Sequence, residues 1–183
     1  MIIALAGRRI DAQGAKAIRF PLSKVDEVKE KLKALFISTK PKALVCSAAC
    51  GADLLALQVA GELGIQRSIV IPFDQQLFKA TSVTDRPGDW GLLYDAICDA
   101  AVTEEGIEVL NYPQNDDETY RRINIDILEK AKALANKYGS HDLTAVIVWD
   151  GKSREEGDIT GHFRKEASTR DFTIHEVITL NNQ

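Results

Sequence analysis

The 183-residue chain is sparing with the residues that build covalent or metal-bound frameworks. It has three cysteines and three histidines. Cys46 and Cys50 stand in a CxxxC spacing with no second pair and no nearby His, which argues against a zinc site. Cys98 lies in a helix-like stretch and reads as a small buried hydrophobe. No two histidines have metal-ligand spacing, so neither a metal nor a cofactor is expected. Long hydrophobic runs are also missing, and the apolar stretches are too short to span a bilayer. The opening MIIALAGRR puts its apolar residues before its charges, the reverse of a secretory signal, so a cytoplasmic protein is expected. The net charge is −4 and there is no dense Lys/Arg stripe, which argues against nucleic acid as the main partner. Repeats, low-complexity segments and linkers are lacking too, so residues 1–183 are expected to form a single domain.

What the chain does contain is an alternation of apolar runs and helical periods. Ile2–Ala6, Ala43–Cys46, Ser68–Ile71, Ile107–Leu110, Leu143–Trp149 and Phe172–Ile178 read as strands, apolar nearly throughout. Between them, Pro21–Phe36, Asp53–Leu63, Gly91–Ala101, Asp116–Lys137 and Thr160–Thr169 carry helical spacing. Gly64 supplies a natural helix stop. The segment Phe73–Gly91 is the least regular, with one short helical piece. Strands without polar alternation are buried on both faces. The pattern therefore predicts an α/β fold, a three-layer, Rossmann-like, doubly wound and mostly parallel sheet.

Ligands in such sheets sit outside the carboxyl ends of the strands, and four of these ends are unusual. Gly7-Arg8-Arg9 follows the first strand, pairing a permissive glycine with a planar cationic fork; the alternative is a surface turn with solvated arginines. Ser47-Ala48-Ala49-Cys50-Gly51 runs into a helix that begins Ala52-Asp53. Its small residues would leave first-turn amides open to an anion, or they give the room that tight helix–sheet packing needs. It is neither a P-loop nor a dinucleotide fingerprint. Trp149-Asp150-Gly151 leads through Gly157-Asp158 to a second helix start at Thr160-Gly161-His162. The charged stretch Lys152-Ser153-Arg154-Glu155-Glu156 reads as a solvated loop. Pro72-Phe73-Asp74 opens the irregular segment, where Phe73, Ser82 and Arg86 could fold over a base. Trp90 in the same segment reads as core.

These stretches, with IVIPF at a strand end and Tyr120-Arg121-Arg122-Ile123-Asn124 at a helix start, resemble the SMF/DprA–LOG (SLOG) superfamily over nearly the whole chain. The resemblance implies a nucleotide-binding domain whose pocket is lined by Gly7, Arg8, Ser47 to Asp53 (Ala48, Gly51 and Ala52 included), Asn124, Asp150, Gly151 and Thr160. Gly161, His162 and Phe73 join that set from the residue reading. The hydrolase branch of the superfamily carries Pro-Gly-Gly-x-Gly-Thr-x-x-Glu. Here Asp158-Ile159 replace the glycines before Thr160, and Phe163 stands where that branch has its carboxylate.

Three functions follow as expectations. The first is binding of a nucleotide or nucleotide-derived small molecule, as a ligand sensor rather than an enzyme. The second is N-glycosidic or nucleotide hydrolysis, with Asp53 and Asp150 as the candidate catalytic carboxylates. The third is a nucleic-acid or protein-interaction module. Members of the superfamily are commonly dimers, which implies a homodimer or an effector partner.

Overall fold

The computed structural model describes residues 1–102, 106–114, 117–154 and 157–180. Its strands are β1 (Ile2–Gly7), β2 (Ala43–Cys46), β3 (Gln66–Ile71), β4 (Ile107–Val109), β5 (Leu143–Trp149) and β6 (Thr173–Ile178). All described pairings are parallel, in the order β4-β3-β2-β1-β5-β6. The chain walks outward from β1 to β4, then returns to the other side of β1 for β5 and β6. The order therefore reverses between β1 and β5, which pair from Ile2↔Leu143 to Gly7↔Val148. A crevice opens at such a switch point because the loops leaving the two strands diverge to opposite faces.

The connecting helices are α1 (Val25–Thr39), α2 (Ala52–Glu62), the single-turn α3 (Gln75–Phe78), α4 (Trp90–Val102), α5 (Asp117–Lys137) and α6 (Ile159–Ser168). On one face α2 packs between α1 and α4; on the other, α5 crosses β1, β2 and β3 and lies beside α6. The three-layer arrangement expected from the sequence is thus the one observed. Each layer follows from residue spacing. Helix α1 buries Val28, Leu32 and Phe36, a four-residue repeat along one stripe. Helix α2 is different: Ala52–Leu57, Val59 and Ala60 are all buried, because helices flank it on both sides. Strands β1 and β2 supply Ile2, Ile3, Leu5, Leu44 and Val45 with no solvent exposure, and burying each such side chain is worth about 1.5–3 kcal/mol.

Boundaries move slightly from the sequence reading. Leu22–Lys24 forms a separate 3-10 turn after Pro21, and α1 runs past Phe36 to Thr39, ending at a left-handed Lys40. The expected start of α5 at Asp116 lies outside the described residues, as do Glu155 and Glu156. The irregular segment after β3 contains α3, capped by Asp74, and then a π-helical turn over Lys79–Val83. Phe73 does not stand over the crevice. It is buried against Phe78, ring centroids 6.0 Å apart, so its place is in the core. Trp90 is buried too, its indole N–H donating to the Pro87 carbonyl.

Candidate functional site

The crevice at the β1/β5 switch point has a volume of about 910 Å³. Its floor comes from the end of β1, one wall from the long loop Ile10–Arg19, and another from Tyr120, Ile123, Asn124 and Ile127 on α5. Ser47, Ala49 and Asp53 line it from the β2–α2 junction, Ser82 and Arg86 from the segment after β3, and Thr160 from α6. Of the residues expected from sequence, Gly7, Arg8, Ser47, Asp53, Asn124 and Thr160 meet here. Ala48, Gly51 and Ala52 are buried behind the crevice wall. Gly151 is exposed at a turn outside it, Asp150 is buried behind Arg8, and Gly161 and His162 face a neighbouring depression.

The small residues before α2 serve packing. Gly51 has φ +92°, and a Cβ there would lie 2.9 Å from both the Arg8 carbonyl oxygen and the Ile10 nitrogen. A Cβ on Gly7 would overlap that of Ala52 and reach 2.7 Å from Val148 Cβ. The end of β1 and the start of α2 are thus in backbone contact, and this junction admits little more than hydrogen. Three of the amides between Ser47 and Ala52 are engaged as well. Ala49 N–H donates to the Asp53 carboxylate at 3.2 Å, Cys50 N–H to the Ser82 carbonyl at 3.0 Å, and Ala52 N–H to the Arg8 carbonyl at 3.3 Å. The turn therefore has fewer open amides for an anion than its composition suggests.

A correction concerns Arg8. Its guanidinium is buried and committed on every nitrogen: Nε donates to Asp150 at 3.2 Å, Nη1 to Asp158 at 2.6 Å and Nη2 to the Lys152 carbonyl at 2.7 Å. Arg19 takes the other Asp150 oxygen at 2.8 Å. Both Asp150 oxygens are thereby held by arginines, and Asp150 is not among the residues that line the crevice. Asp158 turns inward and occupies the start of α6. It accepts from the Gly161 and Arg154 amides and from Ser153 Oγ as well as from Arg8. Burial alone would raise its pKa, but the bonds from Gly161, Ser153, Arg154 and Arg8 hold it down at about 2. The carboxylate stands where an anionic ligand at this helix start would sit. The same bonds hold the Ser153 hydroxyl and the Arg154 backbone, while Lys152, Ser153 and Arg154 are exposed, as expected of a solvated stretch.

The cationic groups that do face the crevice are others. Arg9 and Arg86 both line it, and both reach Asp85: Arg9 Nη2 donates to one carboxylate oxygen, and Arg86 Nε lies 3.4 Å from the other. The Arg86 contact is within ion-pair range but is no hydrogen bond, and the Nε atoms of both arginines are buried without a hydrogen-bond partner. Two guanidiniums against one carboxylate leave this corner positive, with donor capacity unused. Burial works to lower the pKa of Arg9, but Asp85 and the adjacent Cys50 sulfur outweigh it and the net shift is upward, so the cation persists. Adjacent residues of an extended chain point to opposite sides. Arg8 N–H continues the β1–β5 pairing to the Val148 carbonyl, so Arg8 and Arg9 diverge. The motif Gly7-Arg8-Arg9 marks the right place but the second arginine is the one available.

Asp53 is the unusual acid. It is 8 % exposed, lines the crevice, and among the described residues has only the Ala49 amide as a hydrogen-bond donor. Burial pushes its carboxyl up to about 7, outweighing the Ala49 hydrogen bond and the field of Arg9. A carboxyl protonated more readily in the folded chain than in the unfolded one makes stability fall as pH rises. The loss begins near its ordinary value of 3.8 and is complete above about 7. Unfolding titrations from pH 4 to 7 should show a negative contribution of up to about 1.4 kcal/mol per pH unit that disappears in Asp53→Asn. An unchanged slope in the variant would show that Asp53 ionises normally.

The thiols are less suited to chemistry. Cys46, Cys50 and Cys98 are free and buried, and burial raises each pKa, which disfavours the nucleophilic thiolate. Among the described residues no His, Cys, Asp or Glu cluster is arranged to hold a metal, and no helix is long and apolar enough to cross a membrane. Sequence reasoning noted Arg9, Arg86 and Tyr120 without carrying any of them into the site, and it passed over Arg19 and the Ile10–Arg19 loop. That loop's length without regular structure was the available signal.

Fold and site together define a doubly wound α/β protein with an arginine-bearing crevice at its switch point. Comparison with protein-family models and with curated proteins gives no match.

Proposed function

We propose that the crevice binds a nucleotide or nucleotide-derived small molecule, and that the protein is a ligand sensor related to the SLOG superfamily. The observation that carries this reading is the Arg9/Arg86 pair, with buried unpartnered donors beside a crevice of about 910 Å³. Planar guanidiniums recognise phosphate through paired hydrogen bonds. Tyr120, Ile123, Ile127 and Phe78 offer apolar surface for a base, and Ser47, Ser82 and Thr160 offer hydroxyls for a sugar. Ser47, Asp53, Asn124 and Thr160, four of the positions that the resemblance implies, share this cavity. The reading implies a cytoplasmic protein that passes on ligand occupancy through a homodimer or an effector partner.

Isothermal titration with AMP tests it. Micromolar binding is expected, weakened about 10- to 100-fold in Arg9→Ala, since a hydrogen bond to a charged group is worth about 1.5–3 kcal/mol. Arg9 is partly exposed, so the variant should fold. No heat from AMP or other nucleoside phosphates would remove the proposal.

Asp53 favours a second reading, hydrolysis of an N-glycosidic bond. A carboxyl titrating near 7 can give its proton to the departing base nitrogen as the C1′–N bond breaks. Water oxygen then bonds to C1′, and the proton that water sheds returns to the carboxylate. Release of free base from a nucleoside monophosphate, abolished in Asp53→Asn while binding persists, would establish it over simple sensing.

A further inference from the structure

Beside the crevice lies a second depression of about 670 Å³, and the two share Ser153, Arg154 and Gly157 as a common wall. Its other cationic groups are Arg121 on α5 and Lys165 on α6, with the His162 ring between them in the lining. Arg121, Arg154 and Lys165 form no salt bridge among the described residues, although they border a chain of net charge −4. The acids of the same lining are otherwise engaged: Asp158 with Arg8 and the Gly161 and Arg154 amides, Glu166 with Arg170 and, at 3.7 Å, with His162. Partial burial lowers the pKa of Arg154, and so do the neighbouring Arg8 and Arg19, against the pull of Asp158 and Asp150. Burial likewise lowers that of His162; Glu166 and Glu118 oppose this, while Arg121 and Lys165 add to it. Arg121, Arg154 and Lys165, unpaired among the described residues, are the charges an incoming anion would neutralise.

Size points the same way. Pockets for drug-sized ligands run to roughly 300–1,000 Å³, so the crevice alone is near the upper end and the connected depression extends beyond it. Asp158 already fills the helix start between them, so an anion there must be held by side chains.

We propose that this depression is a second anion subsite, so that the ligand carries two phosphates separated by a nucleoside, as in a linear dinucleotide. One phosphate lies at Arg9 and Arg86, the other at Arg121, Arg154 and Lys165, and the chain between them passes over the shared wall. This rests on the nucleotide reading of the crevice and gives its ligand class.

The probes are AMP and the 5′-phosphorylated dinucleotide pApA, titrated into the wild type and into the Arg121→Gln/Lys165→Gln double variant. Neither replaced residue forms an ion pair among the described residues, so the fold should be retained. pApA should bind the wild type about 10-fold or more tightly than AMP, the effect of one added charge-assisted contact. The double variant should lose that advantage while AMP affinity stays unchanged. The His162 ring resonance should titrate at higher pH with pApA bound than with AMP. Equal affinities for AMP and pApA, or a double variant that weakens both alike, would overturn the second subsite and leave the first reading intact. Failure of both ligands to bind would overturn the two together.

Discussion

Replacing Arg8 by Ala should lower the stability of the fold by about 3–5 kcal/mol, the usual cost of removing one partner from a buried ion pair. The substitution strands two carboxylates, Asp150 and Asp158, and frees the Lys152 carbonyl. Arg19 still reaches Asp150, but Asp158 keeps only its hydrogen bonds to Ser153 and the amides. In a chain of this size the melting temperature should fall by about 10 °C. Arg8→Lys should recover only part of the loss, because an ammonium cannot address Asp150, Asp158 and a carbonyl at once in the geometry of a planar fork. Thermal or urea unfolding reads both variants. A well-folded Arg8→Ala protein that merely binds AMP more weakly would assign Arg8 to the ligand instead, and would reverse the division of labour between the two adjacent arginines.

Gly51→Ala should be the next most damaging change, costing about 3 kcal/mol or more. The backbone at φ +92° and ψ −121° is a conformation that side chains strain to adopt, at about 1–3 kcal/mol. The new methyl also meets the Arg8 carbonyl oxygen and the Ile10 nitrogen, both at 2.9 Å. These are backbone atoms that no rotamer change can move aside, so overpacking adds to the strain. Relief requires β1 and α2 to separate, which displaces Arg9 as well. The variant should therefore lose AMP affinity along with stability. Full stability in Gly51→Ala would mean that the junction is looser than its geometry implies.

The comparison of sequence with structure turns on which physical signals are local. Strands β2 and β5 were legible to the residue, because an apolar run bounded by Pro41 or by Trp149-Asp150 has one reading. The parallel sheet followed from strands lacking alternation and from the helices between them. The carboxyl edge of the sheet followed as the place to look, and Gly7, Ser47, Asp53 and Thr160 lie together there, whereas Asn124 came only from the resemblance.

Side-chain direction was not legible. Arg8 and Arg9 are chemically equal in the sequence, and only the continued pairing of Arg8 N–H with Val148 sends one toward Asp158 and the other toward Asp85. In the sequence Asp158 only marks a departure from the glycines of the hydrolase branch; folded, it is an internal anion that satisfies Arg8 and caps α6. The small residues before α2 had two readings with the same composition, and the contact between Gly51 and the Arg8–Ile10 backbone selects packing. Phe73 was a matter of rotamer and burial, which its type alone does not decide. Asp53 needed burial without a cation partner to become distinctive, a property that belongs to the folded chain.

The central claim is that Arg9 and Arg86, and not Arg8 or the amides before α2, hold the anionic end of a nucleotide. A crystal structure of the protein with AMP tests it most directly. The account predicts a phosphate within hydrogen-bonding distance of both guanidiniums, with Arg8 still bound to Asp150 and Asp158. A phosphate seated on the Gly51 turn, or Arg8 swung out to meet it, would contradict that claim.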